Sequence, residues 1–132
     1  MEGERDLSRL LANLQACLRA QPYVFVALPP SEAAHLEPVA WAIVREDEAV
    51  TLIVPHAVAL QAGLPTEPQW ACITLHVHSS LAAVGMIAAV ATALAAEGIS
   101  SNPVAGYYHD HLFVQWERRH DALHVLQRFA AP

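Results

Sequence analysis

At 132 residues, 55% hydrophobic and with a mean hydropathy of +0.29, the chain is one compact domain or two very small ones, with ample apolar side chains for a core. A balance of 7 Lys plus Arg against 13 Asp plus Glu, a formal charge of −6, excludes nucleic acid as a main partner, because phosphate contacts need clustered cations. The basic pair Arg118-Arg119 reads as a solvated strand end or helix lead-in. Cys17 and Cys72 form no C-x-x-C and no secretory leader precedes them, so both thiols are expected to be reduced and buried, in the cytoplasm. The apolar run 81–96 is too short and alanine-rich to span a bilayer, which takes about 20 strongly apolar residues.

In chain order, Leu7, Leu10, Leu11, Leu14 and Leu18 predict a helix over Leu7 to Ala20, with Asp6 or Ser8 near its start and Pro22 beyond its end. Tyr23 to Leu28 is a strand candidate closed by Pro29-Pro30, and Ser31 to Glu37 has loop or single-turn character. Strands follow at Val39 to Arg45 and Val50 to Val54 around the acidic turn Glu46-Asp47-Glu48. A short helix, Pro55 to Gln61 with Pro at N1, stops at Gly63. Leu64 to Gln69 carries two prolines and no apolar period, and reads as a linker. The period-2 run Ile73 to His78 is a strand, and Ser79 and Ser80 are N-cap candidates for the helix after it. Leu81, Val84, Ile87, Ala88, Ala91, Leu94 and Ala95 give that helix its stripe, and Gly98 suits the C′ position. Strands at Pro103 to Tyr108 and His111 to Trp116 then meet across His109-Asp110, and Asp121 to Phe129 is a final helix. Tyr107 and Tyr108 are expected on opposite strand faces, at least one of them in the core.

The run Val84-Gly85-Met86-Ile87 through Leu94 to Glu97-Gly98-Ile99-Ser100 resembles the glycine-led helix signature of ACT domains, which are small ferredoxin-like regulatory modules. The wider stretch from His78 to Val114 is similar to small stand-alone bacterial proteins with tandem ACT-like halves. Pro38-Val39-Ala40 recurs as Pro103-Val104-Ala105, each followed by strand, turn, strand and helix, a faint internal repeat. The expected fold class is therefore α+β: tandem ferredoxin-like ACT βαββα units, antiparallel sheets covered by helices, with an abbreviated half at residues 1–64 and a complete one at 70–132. The first half lacks a long helix, so the N-terminal helix is expected to cover its sheet. Neither half shows a clear fourth strand, which points to strand exchange between them.

The resemblance implies a ligand site at the strand-to-helix turn together with the start of the next strand: Ser79, Ser80, Val84, Gly85, Met86 and Ile87 with Ser100, Ser101 and Asn102. Helix-terminal amides suit a carboxylate, serine hydroxyls can bond an amino-acid head group, and Gly85 lets backbone approach. The competing reading makes both serines plain caps and Gly85 a relief of crowding. Two positions depart from the family pattern: Ala82-Ala83-Val84 stand where a polar residue usually precedes the glycine, and Ser100 stands where Asn is frequent.

His76, His78, His109 and His111 could meet around zinc, but no Cys or Glu joins them at ligand spacing, so no metal or cofactor is expected. No G-x-S-x-G, P-loop, H-E-x-x-H or G-x-G-x-x-G appears, and Asp110 between two histidines has no nucleophile near it in sequence, so no catalytic residue is assigned. The expected function is a non-catalytic regulatory module, a homodimer by its apolar excess, that binds a small effector such as an amino acid and acts on a protein partner in trans. The alternative is a structural, dimerising protein with no retained ligand site.

Overall fold

The computed structural model describes residues 6–77 and 84–130. In chain order these form α1 (Leu7–Ala12), β1 (Gln15–Leu18), β2 (Tyr23–Leu28), α2 (Pro30–Ala33), β3 (Ala42–Arg45), β4 (Val50–Pro55), α3 (His56–Gln61), β5 (Trp70–His76), α4 (Met86–Ala96), β6 (Ser101–Ala105), β7 (Asp110–Gln115) and α5 (Arg119–Gln127). The chain divides into two compact units, one of residues 21–70 and one combining 1–20 with 71–132. Both are ferredoxin-like, with antiparallel strands on one side and helices on the other.

In the smaller unit β4 lies between β3 and β2, antiparallel to each. Alternation along β2 and β4 sends Val24, Val26, Leu52 and Val54 to a core closed by Ala33 of α2 and Ala59 of α3. The first crossover is one turn of helix followed by a 3-10 turn at Glu37–Val39, so β3 starts at Ala42. The Pro38-Val39-Ala40 triplet therefore lies before its strand, whereas Pro103-Val104-Ala105 lies inside β6. The order of elements repeats between the halves and the triplet does not.

In the larger unit the strands run β1-β5-β7-β6. β5-α4-β6-β7-α5 is completed by β1, which supplies the fourth strand from the N-terminal segment. Here the structure corrects the sequence reading, because α1 ends at Ala12 and Gln15–Leu18 is a strand antiparallel to β5, in a register running from Leu18↔Ile73 to Gln15↔His76. The leucine spacing holds through Leu14, but Asn13 stops the helix by donating from Nδ2 to the Arg9 carbonyl (2.9 Å). Beyond it Ala16 and Leu18 pack on the core by strand alternation. Nor does α1 cover the smaller unit's sheet: it packs within the larger unit, against α4 and the turn at Arg128–Ala130, with Leu10 fully buried. Asp6 is its N-cap, its Oδ1 accepting from the Arg9 amide at 3.0 Å.

α4 also starts later than its apolar stripe suggests. Its N-cap is Gly85, left-handed at φ +96°, so Val84 lies outside the helix, and Ser79 and Ser80 lie outside the described residues. Its other end follows expectation: the Ile99 amide donates to Leu94 O (3.0 Å) and the Gly98 amide to Ala95 O (2.9 Å), with Gly98 at φ +73° and Leu94 and Ile99 both buried. That is the Schellman arrangement, which satisfies the last helical carbonyls. The β6–β7 turn spans residues 106–109, closed by Gly106 N donating to His109 O at 2.8 Å. Tyr107 and Tyr108 thus sit in the turn, 73% and 70% exposed and stacked edge to face at 5.0 Å, and neither enters the core.

Candidate functional site

The sequence-predicted site residues fall into two groups. Val84, Gly85, Met86 and Ile87 stand at the N-terminal end of α4: Val84 is 82% exposed, Met86 is buried, and Ile87 packs against the core. Gly85 cannot readily be replaced, since its φ is one that L side chains rarely adopt and an added Cβ would meet Leu7 Cδ2 at 3.3 Å. Ser100, Ser101 and Asn102 follow the C-terminal end of the same helix. The Ser100 amide donates to Gln115 Oε1 (2.9 Å), Ser101 pairs with Val114, and Asn102 Nδ2 reaches Phe113 O at 3.4 Å. Nine helical residues, 88–96, separate the groups, roughly 14 Å at 1.5 Å per residue. Within one unit they do not converge.

At the C-terminal end of α4, a groove of about 320 Å³ is lined by Glu97, Arg118, Asp121, His124, Val125 and Arg128. Its charges are matched internally: Arg118 Nε bonds Asp121 Oδ2 (3.0 Å), Arg118 Nη2 donates to Glu97 O (3.0 Å), and Arg128 pairs with Glu97 Oε1 (3.1 Å). These contacts cap α4 and tie it to α5.

A third constellation, which brings together three of the four histidines that the sequence offered as a possible meeting of strand and hairpin, lies on the sheet face of the larger unit opposite its helices. Ala71, Ile73 and Leu75 of β5 and Leu112 and Val114 of β7 join the helix-side core. By alternation Cys72, Thr74 and His76, with His111 and Phe113, occupy the other face. Thr74, 5% exposed, shares a 2.9 Å hydrogen bond with His111 Nδ1. The His76 and His109 rings lie 4.7 Å apart, and His109 Nδ1 is buried with no hydrogen-bond partner among the described residues. Burial holds His111 below the usual imidazole range, helped by Arg19, His109 and His76. Burial raises Asp110, opposed by His109, and pushes the Cys72 thiol up to about 11 against the pull of Arg19 and Thr74. Such a thiol is a poor nucleophile at neutral pH. Cys17 is exposed, contrary to the expectation that both cysteines are buried. Among the described residues no three His, Cys, Asp or Glu are placed to hold a metal ion, and His78 lies outside them. The period-2 spacing of 72, 74 and 76 was the available signal for this face; its link to His111 needed the strand order.

An ACT-domain family matches residues 2–70 and a second ACT-domain family matches residues 66–128. No curated protein matches the sequence. Among solved structures, a protein of unknown function from Vibrio cholerae, described as a possible transport protein, is 43% identical over 96% of this chain and 98% of that one, with a TM-score of 0.86. A protein from Agrobacterium tumefaciens is 19% identical over 89% of each chain (TM-score 0.67), and the regulatory subunit of aspartate kinase from Thermus flavus is 14% identical over 89% and 97% (TM-score 0.61). At those identities the last two speak for the fold alone. No described helix is long and apolar enough to cross a membrane.

Proposed function

The chain belongs to the ACT-domain family, and from that premise we propose that it is a non-catalytic regulatory module that binds a small effector, an amino acid being the leading class. It acts as a homodimer in the cytoplasm, on a protein partner in trans. The supporting observation is the start of α4, where left-handed Gly85 and exposed Val84 lead into an eleven-residue helix whose first amides have no intrahelical acceptor. A carboxylate is the natural occupant of such a terminus. Because Ser100, Ser101 and Asn102 stand a helix length from Val84–Ile87, a ligand that uses both groups draws them from two modules. Effector binding and association are then one event.

A thermal-shift panel of the common amino acids tests this reading. A true effector at 100 times its Kd adds about 2.7 kcal/mol of stability. A flat response across the panel, from a protein that remains dimeric by sedimentation, would transfer the case to a purely structural role.

A further inference from the structure

We propose that the face of the larger unit carrying His76, His109 and His111 is a proton-linked binding site for a small oxyanion, separate from the strand-to-helix turn. The turn and two neighbouring strands bring three imidazoles together: His76 and His109 by ring contact at 4.7 Å, and His111 anchored through Nδ1 to the buried Thr74 hydroxyl at 2.9 Å. Gly106 keeps the turn pressed on them, since a Cβ there would stand 2.8 Å from His109 O and 3.4 Å from His111 Nε2. His109 Nδ1 is the orphan of the group, a buried nitrogen that lacks a partner among the described residues. A buried polar atom left in this way costs free energy until something bonds it.

The surrounding charges select the sign of that partner. Arg19, from the segment after β1, acts on both His111 and Cys72, and His76 and His109 act on His111. Cys72 and Thr74 of β5 are neutral, and Asp110, raised by burial, is a carboxylate on which His109 acts. A metal ion would have to bind beside the Arg19 guanidinium, and the imidazoles are not placed to share one. An oxyanion turns repulsion into attraction: it offers acceptors to imidazole N–H groups, including one that His109 Nδ1 would carry when protonated, and it offsets the repulsion from Arg19, His109 and His76 that adds to burial in lowering His111. Binding therefore takes up protons, and affinity falls by up to about tenfold per pH unit for each proton linked.

The test is calorimetric titration of the whole chain with inorganic phosphate and, separately, with succinate, at about pH 6 and about pH 8 and at ionic strength matched with chloride, a range that brackets imidazole titration. Saturable binding of either anion at the lower pH, at least tenfold weaker at the higher, is the expected result. Phosphate alone would identify a phosphate-bearing ligand, and succinate alone a carboxylate. His109→Gln and, independently, the surface change His76→Gln should each weaken binding by tenfold or more while the unfolding midpoint of at least one variant stays near that of the parent. Failure of both anions to bind at about pH 6, or binding indifferent to pH and to both substitutions, overturns the proposal.

Discussion

The two units share one plan and differ in their first crossover. In the smaller unit, β2 leads through the four-residue α2 into a 3-10 turn; in the larger, β5 leads to Gly85 and the eleven residues of α4. The smaller unit closes its core with Ala33 and Ala59 at the helix positions, whereas the larger uses Met86, Val90 and Leu94 and adds Leu10 and Leu14 from the N-terminal segment. The lesson is that a module keeps its sheet with a one-turn crossover helix, without the longer helix on whose start the proposed effector site rests. The proposed effector site then falls in one unit, and the other keeps the scaffold.

The largest blow to this asymmetry should come from Leu14→Ala. Leu14 is 2% exposed in the larger unit's core, and its truncation should cost about 2–5 kcal/mol. Hydrogen exchange should then rise in β1 and β5 while β2 and β4 keep their protection; equal loss in all four would mean that the units do not unfold separately. Next, Gly85→Ala should cost about 1–3 kcal/mol, because φ +96° is strained for any side chain and Leu7 crowds the new methyl. Denaturant melts measure that loss, and any amino-acid response should vanish with it. Asp6→Ala, which removes the α1 cap, should cost about 1 kcal/mol, read in the same melts. In the smaller unit the exposed pair Arg45–Glu37 should matter least among these contacts, with Arg45→Met changing stability by less than about 1 kcal/mol.

The subtlest expected effect is on pH dependence. His111 has a lowered folded-state value, so the unfolded chain binds more protons as pH drops below its ordinary 6.5. Stability should therefore fall with acidification from neutrality until the lowered folded value is passed, and His111→Gln should flatten that slope. Asp110, raised in the fold, works in the opposite sense, favouring the native state as pH falls through its folded value. Running the melts on Asp110→Asn separates the two.

Legibility in the sequence followed how local the determining physics was. Tyr23 to Leu28 and Val50 to Val54 were readable because alternation against a core repeats every second residue, and Gly98 marked the end of α4 because its left-handed cap is a local requirement. β1 was not readable: its Leu18 continues the helical spacing of Leu7, Leu10, Leu11 and Leu14, and pairing with β5, some 55 residues onward in the register Leu18↔Ile73, overrules it. The candidate turn was legible as a position, with Gly85 its fixed point, yet its two halves proved to lie at opposite ends of α4. The histidines of the imidazole face were legible as a set that could meet, but the meeting itself depends on β5 and β7 becoming neighbours through topology, with α4 and β6 between them in sequence.

Residues 1–20 and 71–132 make one body with residues 21–70 inserted between its parts. A chain leaving the ribosome N-terminus first can finish the inserted part while Gln15–Leu18 still has no strand to lie against. The enclosing body waits for nearly the whole message to be translated, and in that interval β1 is an unpaired edge that a neighbouring nascent copy could capture.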